Sequence, residues 1–171
     1  MREREIRRRC KRELRALDIR PPLDVALLCR RLGARRGKPI RLVPHPIPVP
    51  GPFGLWLSTE SSDYILYQQE TSKSHQEHII LHEVGHILAD HASDDTDDSV
   101  WRDLLGNIPP DAIRRALRRS SYDKEHEREA ELVATIILEW ASVVDNVAPS
   151  RSVNAGLQDI QDALGDRQGW L

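Results

Sequence analysis

The chain has 171 residues, 39% of them hydrophobic and 30% charged, with a net charge of −2. That length suffices to bury a core without disulfide staples, and the balance is ordinary for a soluble globular protein. No apolar run approaches the ~18 residues of a membrane span, and the charged opening residues 1–10 have no apolar segment behind them, so neither a span nor a secretory leader is expected. The two cysteines, Cys10 and Cys29, form no framework and read as reduced, packed thiols of a cytoplasmic protein. The near-neutral total hides an asymmetry: residues 1–41 hold 15 Lys and Arg against 5 Asp and Glu, and residues 42–171 hold 10 against 22. A basic start on an acidic body has two readings, a solvated helix face that neutralises its own domain or a nucleic-acid contact. The first is favoured, because no aromatic side chain lies among the cations to stack on bases.

In chain order, residues 2–18 repeat Ile6, Cys10, Leu14 and Leu17 at helical steps until Pro21-Pro22 stops the element. A second helix over 23–32 carries Val25, Leu28, Cys29 and Leu32 on one face, with Gly33 as its expected stop. Residues 40–43 read as a strand. Five prolines between 44 and 52 make an extended connection. Short apolar runs at 53–59 and 64–67, split by the polar turn 60–63, read as a hairpin. A small antiparallel three-stranded sheet is therefore expected ahead of a helix over 74–89, apolar on most sides and capped by Ser72 or by Ser74 in a capping box with Glu77. An acidic loop at 94–98, a short helix near 100–105 and a basic helix over 111–119 follow. The longest helical pattern covers 123–144, and a last short helix spans 154–164. The expected fold class is α+β and mostly helical, one domain over 1–171. It comprises a basic helical region (1–36), a zincin-like core (40–145) with the sheet against the motif helix, and a helical tail (146–171).

The chemistry concentrates in His82-Glu83-Val84-Gly85-His86. Two histidines four apart on a helix share a face, so both imidazoles can reach one metal ion, and zinc suits that nitrogen pair. Glu83 beside them can take a proton from activated water and pass it to a leaving amine. A third ligand is needed, and no histidine stands at a short downstream spacing. The richer source is Glu125-His126-Glu127-Arg128-Glu129-Ala130-Glu131. There Glu127, Ala130, Glu131 and Ala134 share one face, and the alanines allow close helix–helix approach. Glu127 is the preferred ligand and Glu129 the reserve; Glu131 is placed to orient a ligating imidazole. Tyr122 or His126 would be the stabiliser of an oxyanion. His78 is expected to be packed or hydrogen bonded rather than a ligand, and His45, His75 and His91 to lie at the surface. The four tryptophans are expected in core or half-buried places.

These motifs resemble the gluzincin metallopeptidases, most closely the ImmA/IrrE family, in which His-Glu-x-x-His on one helix is joined by a ligand from a later Glu-x-x-Ala helix. Here they stand as His82-Glu83-Val84-Gly85-His86 and Glu127-Arg128-Glu129-Ala130, continued by Ala134, Ile137 and Leu138. The resemblance covers about residues 40–145. His78 departs from it, standing where members commonly have an apolar or aromatic residue. The resemblance implies a cytoplasmic zinc endopeptidase that cuts a helix-turn-helix repressor, often after stress, or a related toxin–antitoxin component. The strand at 53–59 would then either receive substrate as an added strand or simply pack Leu55 and Leu57 into the core. A binding regulator that keeps the zinc fold without proteolysis is the alternative.

Overall fold

The computed structural model describes residues 3–47, 53–91 and 124–145. Helix α1 (Glu3–Ala16) buries Ile6, Cys10 and Leu14 along one stripe, extended by Leu17. Helix α2 (Val25–Arg36) starts at Asp24, whose carboxylate accepts the Leu27 N–H at 2.8 Å. It runs through Gly33, the expected stop, and ends at Gly37, whose φ of 67° is open to glycine at little cost. Gly33 instead lets the helix lie against the backbone of Ile40.

The sheet contains β1 (Ile40–His45), β2 (Gly54–Ser58) and β3 (Asp63–Gln68) in the order β1-β3-β2. Strands β2 and β3 make the expected antiparallel hairpin, but β1 joins β3 in parallel, so the sheet is mixed rather than antiparallel. The proline-rich exit of β1 explains the difference. Pro44 and Pro46 lack the N–H groups that a tight return would use. The Gln68 side chain holds the exiting chain at the end of β3 instead, donating to the Ile47 carbonyl at 2.8 Å. Gln69 N–H adds a bond to the His45 carbonyl at 3.1 Å.

Helix α3 (Lys73–Ala89) is capped by Ser72, whose hydroxyl accepts the His75 N–H at 3.3 Å. His75 thus occupies the third helical position, and no Glu77 capping box forms. At the far end Asp90 adopts φ 56°, and the His91 N–H returns to the His86 carbonyl at 3.1 Å. This left-handed closure folds His91 back beside the helix it has just left. Helix α4 (Lys124–Asp145) completes the described elements. None of the described helices is long and apolar enough to cross a membrane. The expected acidic loop at 94–98, the helices near 100–105, 111–119 and 154–164, Trp101, Trp170 and Tyr122 lie outside the described residues.

One core joins these parts, with members from all four helices and all three strands. It includes Cys10 and Cys29, whose thiols burial pushes up to about 11 and about 12, so both stay protonated and inert. Trp56 is buried and Trp140 half-buried, as expected of core tryptophans. Helices α3 and α4 cross where Gly85 meets Ala130. A Cβ on Gly85 would stand 2.7 Å from the Ala130 carbonyl oxygen, so only glycine permits this approach. Ala130 and Ala134 are fully buried on the α4 side. The basic N-terminal region is tied to α4, where Arg7 pairs with Glu139 at 2.8 Å and Arg9 with Glu129 at 3.1 Å, and within the region Arg35 of α2 pairs with Glu13 of α1.

The expected turn 60–63 hides a structural carboxylate. Asp63 is 0% exposed and held by Arg36, by Lys38 at 3.2 Å and by the Ser58 hydroxyl at 2.8 Å. Burial alone would raise its pKa, but the Ser58 and Arg36 hydrogen bonds and the two cations outweigh that and hold it below 3.8. A depressed folded pKa stabilises the fold above the unfolded value near 3.8 and loses that contribution as pH falls through the lower folded value. Asp63→Ala should cost about 3 kcal/mol, because two cations lose a buried partner. Thermal melts at pH 7 should show the midpoint lowered by roughly 6–12 °C. The gap between variant and wild type should shrink below pH 4.

Candidate metal centre

On α3, His82 and His86 project from one face, and α4 brings Glu127 to the same point. His82 Nε2 lies 3.2 Å from His86 Nε2 and 3.2 Å from Glu127 Oε2, while His86 Nε2 lies 3.7 Å from Glu127 Oε1. Nitrogen and oxygen ligands at tetrahedral positions about 2.0–2.2 Å from an ion stand roughly 3.3–3.6 Å apart. The three donors could therefore hold one metal ion, and among the described residues no fourth side chain joins the group. His86 is 1% exposed, whereas the Glu127 side chain is 46% exposed, so the centre opens on the Glu127 side. Burial pushes the His86 imidazole down to about 3, with His82, His91 and His126 adding repulsion, and it is neutral at physiological pH. A neutral imidazole has the free lone pair that a ligand must offer.

Glu131 lies one turn beyond Glu127 and receives both of the outer histidines. Its Oε2 is 3.2 Å from His82 Nδ1, and its Oε1 is 3.1 Å from His78 Nε2. A proton on His82 Nδ1 donated to Glu131 would leave the Nε2 lone pair available to a metal ion. His78 is thereby hydrogen bonded, as expected, rather than directed at the donor triad.

Glu83 is 6% exposed and lines a cleft of about 350 Å³ with His82, His86, Glu127 and the strand segment from Phe53 to Trp56. Burial, and secondarily the Glu127 charge, raise its pKa to about 8, against the pull of a Trp56 N–H donated to the carboxylate. A Cβ on Gly54 would stand 2.7 Å from Glu83 Oε1, so the glycine makes room for the carboxylate beside β2. The N–H of Thr59 donates to Ser62 and that of Gln68 to the Phe53 carbonyl, which sets the odd residues of β2 in hydrogen-bonded pairs with β3. Backbone groups of Gly54, Trp56 and Ser58 therefore point to the outer edge, towards the cleft. Leu55 and Leu57 are buried, so the strand also serves the core.

Other expected positions differ. Glu129, the reserve ligand, lies about 200° around the helix from Glu127 and pairs with Arg9 of α1. His126, the candidate oxyanion stabiliser, sits about 100° from Glu127 and does not line the cleft. Its ring stacks on that of His91 with centroids 4.1 Å apart. His91 is not at the surface: it is 7% exposed, with Nδ1 2.9 Å from His86 Nδ1. His75 and His45 are half-buried, His75 lying edge-on to Phe53. The burial of His91 was missed because the left-handed turn at Asp90 directs it, and nothing in the local sequence announces that turn.

No protein-family model, curated protein or solved structure matches the chain. The donor geometry therefore stands on its own.

Gly85→Ala should force α3 and α4 apart at the crossing. We expect a loss of about 1–3 kcal/mol in the metal-free protein, read from denaturant unfolding. Calorimetric titration should show metal binding weakened more than tenfold, because Glu127 moves with α4. Unchanged metal binding would show that the crossing does not set the donor spacing.

Proposed function

We propose that the chain is a zinc-dependent endopeptidase of the ImmA/IrrE kind, acting in the cytoplasm on a protein partner. The observation that carries the reading is the convergence of His82, His86 and Glu127 with a buried carboxylate, Glu83, on one cleft beside a strand edge. Among the described residues the donors are two imidazoles and one carboxylate, the set typical of catalytic rather than structural zinc. Zinc held there would supply Lewis acidity, polarising a peptide carbonyl and acidifying water.

The chain's own residues supply the rest. Glu83, packed against Gly54 at the cleft, takes the proton of the attacking water and returns it to the amine that leaves. Its raised pKa in the metal-free protein suits it to hold a proton near neutrality; a nearby cation would draw that pKa down. Glu131 keeps His82 in its ligating tautomer. An extended substrate segment adds along the outer edge of β2, whose backbone groups face the cleft, and this selects an unfolded or locally frayed stretch over a helix. A helix-turn-helix repressor or an antitoxin with a flexible linker fits that requirement.

Two variants test the reading. Glu83→Gln should keep one zinc per chain and lose cleavage by at least 10²-fold, the share of a general base. Glu127→Ala should lose zinc, measured by metal analysis after dialysis, and Glu129→Ala should retain it. The readout for cleavage is fragment formation from an unstructured peptide library and from purified helix-turn-helix repressors incubated with the zinc-loaded protein. A partner that binds but stays intact with zinc-loaded wild type would favour the non-proteolytic regulator, and wild type that takes up no zinc would end the reading.

A further inference from the structure

Behind the cleft, a second line of polar side chains runs from the donor triad to the N-terminal helix. His86 Nδ1 faces His91 Nδ1 at 2.9 Å. His91 Nε2 faces Glu129 Oε2 at 3.7 Å, and Glu129 Oε1 meets an Arg9 guanidinium nitrogen at 3.1 Å. His86 and His91 are buried, and Glu129 and Arg9 expose only about a fifth of their side chains, 18% and 22%. These residues come from four places: the motif helix, the turn after it, α4 and α1.

The ligand end dictates the direction of the chain. A metal on His86 Nε2 needs that nitrogen's lone pair, so the His86 proton sits on Nδ1 and donates to His91. His91 Nδ1 must then accept, which places its own proton on Nε2, on the side of Glu129. The 3.7 Å separation there is an electrostatic contact rather than a direct hydrogen bond. Arg9 holds the Glu129 carboxylate in place at 3.1 Å, and so sets the polarity of the line.

We infer that His91, backed by Glu129 and Arg9, is the positioning residue for the inner ligand His86, doing for it what Glu131 does for His82. The two imidazoles of the motif would then have different supports, a carboxylate at the open rim and a neutral imidazole in the interior. The difference has a physical reason: a carboxylate directly against His86, in a site this buried, would carry an uncompensated desolvation cost, while His91 passes the influence of Glu129 inward without moving its charge. The inference also gives Arg9 a task. A helix outside the reach of the two motifs becomes part of the metal centre's scaffold.

This inference rests on the proposal that His82, His86 and Glu127 bind zinc, and its test separates the two. Zinc affinity would be measured by competition with a chromophoric chelator on wild type, His91→Leu, His91→Asn and Glu129→Gln. The thermal midpoint of each metal-free protein would be recorded alongside. His91→Leu should bind zinc 10–100-fold more weakly. His91→Asn, whose amide oxygen stands near the lost Nδ1, should recover most of that. Glu129→Gln, a change of charge with little change of shape, should weaken binding several-fold and shows the effect even if the leucine variant folds poorly. Equal zinc affinity in wild type, His91→Leu and Glu129→Gln would overturn the inference while leaving the zinc site intact. Loss in the leucine variant that tracks its lowered midpoint and is not rescued by asparagine, with Glu129→Gln unchanged, would reduce His91 to packing and overturn it as well. Absence of zinc from wild type would instead remove the underlying reading.

Discussion

The arrangement depends on one steric allowance, the missing side chain at Gly85. Because Ala130 can press its backbone against that position, α3 and α4 cross closely enough for Glu127, less than a turn before Ala130, to meet imidazoles from the opposite helix. Both neighbours of the glycine bear on the same outcome. Val84 is fully buried in the core and fixes the helix's rotation, while His86 is locked on the other side of it. A wider crossing would carry Glu127 away from the two imidazoles, which share α3 and stay together.

The sheet contributes an edge rather than a platform alone. Gly54 lets β2 approach α3, and the strand's pairing with β3 leaves alternate backbone groups turned to the cleft. One of them, the Trp56 backbone N–H, also acts on Glu83, drawing down the pKa that burial raises. The general-base candidate and the substrate-edge candidate thus line one cleft, with Gly54 making room for the carboxylate beside the strand.

Much of this was legible in the residues. Helical spacing announced α1, α3 and α4, and the five-residue motif with the Glu127 to Ala134 face pointed to both halves of the donor set. What could not be read shares a cause. The parallel pairing of β1, the burial of Asp63 and the interior placement of His91 each depend on a partner distant in sequence or on a single unusual backbone angle. Nothing in the local pattern distinguishes Asp63 from an exposed turn aspartate until Arg36 and Lys38 are seen to surround it. Likewise His91 looks like a helix-end surface residue until the Asp90 turn reverses it. Periodicity reports which face of an element is buried, and it carries no information on which elements meet.

The linear placement of these groups has a consequence for synthesis. The histidines and Glu127 are separated by 45 residues of chain between His82 and its partner, and Arg9 stands 120 residues before Glu129. A nascent chain that has emerged only as far as the sheet and α3 holds two donors and no third, with the interior face of His86 still uncovered. The three donors come together only when α4 leaves the ribosome and docks against α3 and α1, so the candidate metal site is withheld until the last described helix is in place.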